Sequence, residues 1–357
     1  MNQDNEKVLK KINYFNFNRK MLLFFDIFYK NNKIFLIMPI YNKPVDRENI
    51  FVKVDNSLLK VAHSYVKDNR EPILIYIYNY VNNNSSDVIN VEVVFNNITK
   101  IYSLKHIRTN SETKKFLTIT TLFKDDYSLF PLFYNYYKNQ GVSHFYMYYN
   151  GVLTKEIEEK FINYHDVTLI EWCFHYWNPA SCKYCHHAQL GQIHHAIYRY
   201  GKDMCEYMTF CDFDEYLYIP SELVVNNVNN VNNTLVKFVK NNPTIDIFGF
   251  CNIWAETLDD KYIITNKLPN KILTNNTVSP YSERSKNIYK ISSINTIGIH
   301  QICDKYLYVY THIINLHMYH FYKFSNNRRT IMSKDGAVKL DTETILDKNM
   351  FPDNSTP

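Results

Sequence analysis

Between Phe116 and Cys211 the chain alternates runs of residues that favour strands with runs that favour helices. The strand-like runs are 116–123, 144–149, 167–172 and 207–211, and the helix-like runs between them are 127–140, 155–164 and 186–200. This alternation is typical of a parallel sheet, because each helix carries the chain back across the sheet before the next strand begins. We therefore predict an α/β, Rossmann-like domain. Strand-like runs at 245–254, 287–291 and 306–310 are expected to form its second half.

The fourth strand-like run leads directly into acidic residues. Tyr207–Cys211 is apolar and aromatic, and Asp212-Phe213-Asp214-Glu215 follows it. In an extended chain alternate side chains point the same way, so Asp212 and Asp214 are predicted to share a face. Two carboxylates at the ligand-binding edge of an α/β sheet suit Mg²⁺ or Mn²⁺, and such an ion can hold a diphosphate. Glu215 is expected to shape the strand end, and the alternative for all three acids is plain solvation.

The scarcity of glycine limits how this chain can bind phosphate groups. Only 7 of its 357 residues are Gly, and neither G-x-G-x-x-G nor G-x-x-x-x-G-K-[ST] occurs. Phosphates are therefore expected to be held by a metal ion and by side chains. The many Asn residues are expected to lie in surface loops.

Charge and hydropathy exclude several other classes of protein. The formal net charge is +5, and Lys and Arg do not form the basic stripe expected of a nucleic-acid-binding protein. The most apolar early run, 21–38, contains Asp26, Lys30 and Lys33, so no transmembrane segment is predicted. Residues 1–20 are polar and charged, which argues against a signal peptide and predicts a cytoplasmic protein.

Changes in sequence character suggest three regions. Short β-like runs at 34–38, 50–54, 73–80, 88–95 and 99–104 are separated by Asn, Asp and Pro clusters. They predict a small β-rich, sandwich-like module over 1–110, with residues 1–20 loose or in a short helix. The α/β domain is predicted over 111–335, and a tail over 336–357.

The cysteines indicate no disulfide framework, because seven of them are scattered along the chain. Cys182 and Cys185 fall in a C-x-x-C-H string that matches a c-type haem attachment site. Haem attachment requires export, so we disfavour it. The same pair with a histidine at 186, 187, 194 or 195 could hold zinc, but no second C-x-x-C is present.

Three segments resemble the family 92 glycosyltransferases. Thr118–Gly151 is similar to the strand, Lys-x-Glu, helix and Gly-Val-x-x-Phe-x-x-Tyr-Asp-Asn that open the family's domain, and Gln189–Pro220 to its Gln-rich helix and Asp-x-Asp-Glu-[Phe/Tyr]. The stretch His320–Ser325 is similar to its His-Tyr-x-x-x-Ser. The likeness covers about 116–335. It implies a GT-A (Rossmann-like) nucleotide-sugar transferase domain after a β-rich module, a UDP-sugar donor that is often UDP-galactose, a glycan or other hydroxyl acceptor, a divalent metal and inversion at the anomeric carbon.

The resemblance also implies roles for particular residues. Asp214 and Asp212 would carry the metal, with Asp212 nearer the ribose, and His320 would be the third metal ligand, with His317 as its alternative. The nucleotide would lie against residues at strand ends and in the Gln-rich helix. These are Lys124, Asp126, Asn150, Gln189, Asp212 and Lys286.

An inverting transferase also needs a carboxylate that deprotonates the acceptor hydroxyl. Glu256, just after the strand-like run that ends at Trp254, is our candidate, and Asp259 and Asp260 are its rivals. Arg284 and Lys286 are candidates for steadying the diphosphate or the acceptor.

The chain departs from the family pattern at three places. Asp126 replaces the Glu of Lys-x-Glu, Tyr149 replaces the Asp of Tyr-Asp-Asn, and His194-His195 replaces an Asn-Asp in the helix. The missing acid at Tyr149 motivates an alternative function, a non-catalytic glycan- or nucleotide-binding protein on a degenerate transferase fold. A zinc-stapled interaction protein is a third possibility.

Overall fold

The computed structural model describes residues 7–10, 12–18, 21–40, 49–67, 73–83, 85–109, 114–177, 187–220, 223, 233–279, 284–300, 316–324, 332–333 and 336–346. The chain divides into two compact units, each built from separate segments. The first unit comprises 1–114, 148–204 and 294–299, and the second comprises 115–147, 205–293 and 300–357.

Strands dominate the described residues. In chain order they are β1 Val8–Leu9, β2 Phe15–Asn18, β3 Met21–Phe24, β4 Asp26–Lys30, β5 Lys33–Pro39, β6 Ile50–Val54, β7 Ser57–Leu58, β8 Val61–Lys67, β9 Ile73–Asn79, β10 Val88–Phe95, β11 Ile98–Ile107, β12 Lys115–Phe123, β13 His144–Tyr149, β14 Val167–Glu171, β15 Cys205–Phe210, β16 Glu215–Tyr218, β17 Ile247–Thr257, β18 Lys271–Thr274, β19 Lys286–Lys290, β20 His317–Phe321, β21 Met332–Ser333, β22 Gly336–Ala337 and β23 Thr342–Ile345.

The α-helices are short. They are α1 Phe130–Asn139, α2 Lys155–Phe161, α3 Ala188–Ala196, α4 Lys202–Met204, α5 Thr234–Asn241 and α6 Lys261–Thr265. A π-helical turn, Ile197–Gly201, continues α3, and 3₁₀ turns occupy Tyr127–Leu129, Ile291–Ser293 and Tyr322–Phe324.

The first unit contains an eight-stranded sheet in the order β7-β6-β10-β11-β4-β5-β9-β8. Its five predicted strands are all present, and both halves of the sheet supply side chains to one buried hydrophobic cluster. The prediction of a loose or helical start is wrong for the described part of residues 1–20, because β1 and β2 lie there. β1 pairs in parallel with β14.

Asparagine takes over the conformational role of the scarce glycine. The hairpins β4–β5, β6–β7 and β10–β11 each turn through two residues with positive φ, which are Asn31–Asn32, Asp55–Asn56 and Asn96–Asn97. Tight two-residue hairpins need left-handed residues at both central positions, and Asn tolerates that region better than other residues with a Cβ. The Asn-rich composition therefore helps to set the register of this sheet.

The second unit places its strands in the order β13-β12-β15-β19-β17-β18-β23, where β13 contributes residues 144–147. The pairing of β12 with β15 is parallel, as the α/β alternation predicts, whereas β19 runs antiparallel to both β15 and β17. β20 pairs in parallel with β17 and antiparallel with β16. The predicted strand 306–310 lies outside the described residues.

Helix α1 shows how the sequence sets a local boundary. Pro131 lies in its first turn, and Phe130, Leu132, Phe133 and the tyrosines 136–137 form its buried side. The helix stops before Gly141, whose φ is +92°, a left-handed value that suits glycine at a helix end. The main-chain N–H of Val142 then donates to the carbonyl oxygen of Tyr137 at 3.0 Å, which closes the end.

The architecture is thus mixed α/β, with a large sheet that contains parallel pairs. The predicted boundary at 110 and the separate β-rich module stay predictions, because the first unit combines the β-rich region with residues 148–204. Part of the predicted tail is a sheet strand, since β23 pairs with β18.

Candidate functional site

The acidic cluster after β15 forms a turn in place of the predicted extended segment. The main-chain N–H of Glu215 donates to the carbonyl oxygen of Asp212 at 3.1 Å. The premise that Asp212 and Asp214 share a face because the chain is extended is therefore wrong. The turn places the side chain of Glu215 beside that of Asp214, and both are buried. The Asp212 side chain is 31% exposed.

Three strands then meet at His320. It is paired with Glu215 of β16 on one side and with Trp254 of β17 on the other. Its Nε2 lies 3.3 Å from Oδ2 of Asp214, and its Nδ1 lies 4.0 Å from Oε1 of Glu215. One ligand atom from each of Asp214, Glu215 and His320 lies within 4.8 Å of the others, and all three residues are buried. We call these three residues the acid–histidine cluster.

The competing metal ligand, His317, is separated by geometry. It starts β20, three residues before His320, and an odd spacing along a strand points two side chains to opposite faces. Within the described part of the chain, His320 is the histidine that joins the two carboxylates.

Lys286 packs under this cluster. Its Nζ lies 3.0 Å from Oε2 of Glu215 and 3.6 Å from Oδ2 of Asp212, and the side chain is 2% exposed. Oε2 of Glu215 also accepts a hydrogen bond from the main-chain N–H of Asp212 at 2.8 Å, so Glu215 holds the turn together. The role of Lys286 toward a phosphate stays a prediction.

Three carboxylates lie close together in this region. Asp212 and Glu215 share the Lys286 ammonium group, and Asp214 faces the His320 imidazole. Burial raises the pKa of Glu215, and the Lys286 ammonium opposes that shift. Burial would lower the pKa of Lys286, but the carboxylates of Asp212 and Glu215 outweigh it and raise the value, so Lys286 stays charged.

Two residues that the sequence analysis missed surround His320. Oδ1 of Asn252 lies 3.2 Å from Nδ1 of His320, and the indole of Trp254 stacks on the imidazole with ring centroids 4.6 Å apart. Asn252 interrupts the apolar run of β17, and a buried amide within such a run is a signal that sequence reasoning can use.

Core packing fixes the turn from the opposite side. The ring of Phe213 lies against Phe123 and Phe133, with centroids 5.1 Å away in each case. The hydroxyl of Tyr137 on α1 donates to the carbonyl oxygen of Glu215 at 2.8 Å and accepts from the main-chain N–H of Leu217 at 3.1 Å. Helix α1 therefore positions the acidic turn.

The candidate base, Glu256, lies on the same strand as the residues around His320. Asn252, Trp254 and Glu256 alternate along β17, so they share one face. Oε1 of Glu256 contacts Nζ of Lys323, and its Oε2 accepts from the hydroxyl of Tyr322 at 3.3 Å. The alternative candidates, Asp259 and Asp260, lie in the exposed loop that follows β17. Oδ1 of Asp259 accepts a hydrogen bond from the main-chain N–H of Lys261.

Lys124 and Asp126 follow β12, which is the parallel neighbour of β15. Thr121 Oγ1 donates to the carbonyl oxygen of Cys211 at 2.8 Å, so the ends of the two strands lie side by side. Lys124 is exposed and Asp126 is half-buried. Both therefore lie at the sheet edge from which Asp212 emerges, and their contact with a nucleotide stays a prediction.

The other two predicted nucleotide contacts belong to the first unit. Nδ2 of Asn150 donates to the carbonyl oxygens of Trp172 and Phe174, at 2.9 and 2.8 Å. Gln189 is buried, and its Oε1 accepts from the Tyr176 hydroxyl at 3.2 Å. Their roles stay predictions. The cysteines of the C-x-x-C-H string lie outside the described residues.

The second unit thus presents a buried carboxylate–imidazole cluster at the edge of an α/β sheet, an arrangement typical of enzymes that bind a divalent cation. A model of glycosyltransferase family 92 matches residues 116–355, about two thirds of the chain. The chain therefore belongs to glycosyltransferase family 92, as the sequence resemblance predicts.

Other comparisons add little. No curated protein matches the chain. Among solved structures, the crystal structure of amylomaltase from Corynebacterium glutamicum is 6% identical, with a TM-score of 0.15, and the match covers 34% of this chain and 20% of that one. A likeness this weak supports no argument about fold or function. Among the described residues, no helix has the length and apolar character needed to cross a membrane.

Proposed function

We propose that this protein is a metal-dependent, inverting glycosyltransferase of GT-A type, which moves a hexose from a UDP-sugar, with UDP-galactose favoured, to a hydroxyl of a glycan or other acceptor. The observation that carries this proposal is the acid–histidine cluster, which lies in the part of the chain that matches the family. Membership of the family supports glycosyl transfer. Metal dependence, inversion and the identity of the donor are our proposal.

The donor set fits Mn²⁺ or Mg²⁺. Ligands about 2.1 Å from one ion and at right angles to each other are about 3 Å apart, and the 3.3 Å between Asp214 Oδ2 and His320 Nε2 is close to that value. An imidazole beside carboxylates favours Mn²⁺ over Mg²⁺. Asp214 and His320 would hold the ion, and Asp212, more exposed at the rim, would face the ribose or complete the metal site.

When bound, the cation would neutralise charge that develops on the departing nucleoside diphosphate. The protein residues would do the rest. Glu256 would take the proton of the acceptor hydroxyl as its oxygen attacks the anomeric carbon and the bond to the diphosphate breaks. Lys323 and Tyr322 hold the Glu256 carboxylate in place, and the incoming hydroxyl would have to share or displace one of these contacts.

Arg284 is the cation best placed to face the diphosphate. Its guanidinium lies over the indole of Trp254, 5.2 Å from the ring centroid, and that indole stacks on His320. Its φ is +56°, and among the described non-glycine residues with positive φ it is the exception to Asn and Asp. A strained backbone of this kind is found most often at functional sites.

A second candidate function is binding of a nucleotide or glycan without turnover. The substitution of the family's Asp by Tyr149 favours it, as does the engagement of both carboxylate oxygens of Glu256. The two candidates share the metal site and differ in the chemistry that follows donor binding.

A nucleotide-sugar panel tests the proposal. Purified protein is incubated with each donor and Mn²⁺, with and without EDTA, and release of free nucleoside diphosphate is measured. We expect release from a UDP-sugar that EDTA and Asp214→Asn abolish, while Glu256→Gln retains UDP binding and loses transfer. Mn²⁺-dependent UDP binding without release on any acceptor would establish the binding protein instead. Release that EDTA leaves unchanged would exclude the metal.

A further inference from the structure

We propose that Asn252 is a positioning residue that holds the His320 imidazole with Nδ1 protonated and Nε2 directed at the divalent cation. The inference rests on the metal site of the proposed function and adds a residue to it. Asn252 is fully buried in β17, and the acid–histidine cluster does not include it.

The first step is the hydrogen bond to the imidazole. Oδ1 of Asn252 lies 3.2 Å from Nδ1 of His320. A carboxamide oxygen can only accept a hydrogen bond, so this contact requires a proton on Nδ1. A neutral imidazole has one N–H, and with that proton on Nδ1 the lone pair of Nε2 is available to a cation. Nε2 is the atom that faces Asp214.

The second step is what fixes Asn252 itself. Its Nδ2 donates to Oγ of Ser279 at 3.4 Å, which leaves Oδ1 for the histidine. Its carbonyl oxygen accepts from the main-chain N–H of Ser279 at 2.8 Å, and its strand pairs with β20, with Asn252 opposite Met318. The amide is therefore anchored by backbone and side chain.

The third step concerns the tilt of the ring. Trp254, two residues along the same strand face, stacks on the imidazole with an angle of 30° between the ring planes. A ring held on one face by an indole and at one nitrogen by an amide has little freedom to rotate about its side-chain bonds. His320 is thus oriented before any cation arrives, which is the usual function of hydrogen-bond partners behind metal-ligating histidines.

The test uses Mn²⁺ alone, with no nucleotide, so that its readout does not depend on turnover. The affinity of full-length protein for Mn²⁺ is measured from the electron paramagnetic resonance signal of the free ion. We expect Asn252→Leu, which keeps the size and removes the acceptor, to weaken Mn²⁺ binding about 10- to 100-fold. Asn252→Asp retains an acceptor oxygen, so it should bind Mn²⁺ at least as tightly as wild type.

Asn287→Leu is the matched control. Asn287 is also a buried amide in the second unit, on β19, and its Nδ2 donates to the hydroxyl of Tyr289 at 2.9 Å. The Asn287→Leu protein should be less stable than wild type, as we also expect of Asn252→Leu, and should keep wild-type Mn²⁺ affinity. Urea unfolding of all variants measures the stability change separately.

Two outcomes would overturn the inference. One is wild-type Mn²⁺ affinity in Asn252→Leu, and the other is an equal loss of affinity in Asn252→Leu and Asn287→Leu, which would indicate a general effect of buried amides. A wild-type protein that binds no Mn²⁺ would refute the metal site itself. Tight Mn²⁺ binding without sugar transfer would refute the proposed enzyme and leave the role of Asn252 measurable.

Discussion

Each of the two units contains a buried histidine that faces a buried aspartate, and the surroundings of the two pairs differ. In the first unit, Nε2 of His195 lies 3.0 Å from Oδ2 of Asp26, and Nδ1 lies 2.7 Å from the Tyr148 hydroxyl. In the second unit, Nε2 of His320 lies 3.3 Å from Oδ2 of Asp214. A His–Asp contact alone therefore does not identify a functional site.

The first pair belongs to a network in which the charges balance. Arg199 Nη1 lies 3.6 Å from Oδ2 of Asp26, and the main-chain N–H of Asn13 donates to the other carboxylate oxygen at 2.8 Å. Lys30 pairs with Asp203 at 2.9 Å and donates to the carbonyl oxygens of residues 198 and 199 in the π-helical turn. Burial lowers the pKa of His195, although Asp26 opposes the shift, so the imidazole is neutral at pH 7.

The second pair belongs to a cluster in which one ligand atom from each of two carboxylates and an imidazole lies within 4.8 Å of the others. The difference shows that convergence of potential ligand atoms, more than burial, distinguishes a candidate metal site from a structural network. Buried carboxylates are costly in a protein interior, and a bound divalent ion is one way to stabilise them.

The largest expected effect is the loss of turnover on substitution of Asp214, whereas substitution of Asp26 should mainly reduce stability. Asp214→Asn should reduce turnover about 10²- to 10³-fold, on the scale of removing one electrostatic stabiliser of the transition state, with little loss of stability because it removes the charge of a buried carboxylate. Asp26→Asn should leave Arg199 without its carboxylate partner and lower the free energy of unfolding by about 3–5 kcal/mol. Nucleotide release per folded molecule and urea unfolding measure the two effects.

The comparison would fail if the effects were interchanged. A fully stable Asp26→Asn protein without activity would assign the first network to the reaction. An Asp214→Asn protein that unfolds as readily as Asp26→Asn would make the second cluster structural.

The buried lysines Lys286 and Lys30 provide a second comparison between the acid–histidine cluster and the network of the first unit. Lys286→Met leaves the acidic residues without their ammonium group and should lower the free energy of unfolding by about 3 kcal/mol in EDTA. Relative to wild type in the same buffer, part of that loss should disappear in Mn²⁺, because a more negative cluster binds the cation more tightly and binding stabilises the folded state. Lys30→Met should lose a similar amount relative to wild type, and that loss should be the same in EDTA and in Mn²⁺ because its metal site is unchanged. Thermal melts of wild type and both variants with EDTA and with Mn²⁺ test this, and equal changes in the two losses would refute it.

The pH dependence of stability should come partly from neutral histidines of the first unit. Burial lowers the pKa of His187 to about 3, and His195 shifts in the same direction. Below pH 6.5 the unfolded chain takes up protons that the folded protein does not, so the free energy of unfolding decreases as the pH is lowered, by up to about 1.4 kcal/mol per unit for His187.

His187→Phe tests that contribution, because His187 packs against Phe25 with centroids 4.7 Å apart and a phenyl ring is similar in size. The average slope of unfolding free energy between pH 6.5 and pH 5 should decrease by about 1 kcal/mol per unit in the variant. An unchanged slope would mean that His187 takes up its proton in the folded state.

The smallest expected effect is on UDP affinity, and it concerns Arg284, which is exposed, in contrast to Arg199. Arg199 lies by Asp26 and 5.6 Å from the ring centroid of Phe28, whereas Arg284 is exposed beside Trp254. Arg284→Met should weaken UDP binding in Mn²⁺ about tenfold, the loss of one charge-assisted contact, and leave Mn²⁺ affinity unchanged. Calorimetric titration measures both, with Lys290→Met on β19 as a control, and unchanged UDP affinity would refute the assignment.

Local pattern predicted much of the fold. Strands β6, β10 and β13 match the predicted bounds, because apolar periodicity, β-branched residues and flanking Asn turns are all local signals. The first strands were missed because β2 and β3 have only four residues each, and β2 alternates Phe with Asn, a residue typical of turns. Strands β16 and β20 were also not predicted, since they pair with each other across about a hundred residues. Strand β8 was missed although it pairs with the neighbouring strand β9.

The sequence by itself indicated that strand β15 ends in carboxylates and that no glycine-rich loop binds phosphate, and the family resemblance placed His320, with His317 as its alternative, beside Asp214. Tertiary structure decided the rest. The turn at 212–215 replaced Asp212 by Glu215 in the cluster, and the pairing of β17 with β20 placed Asn252 and Trp254 against His320. Residue types and spacing reflect the local chain, whereas which side chains converge depends on strand pairing between residues more than sixty positions apart.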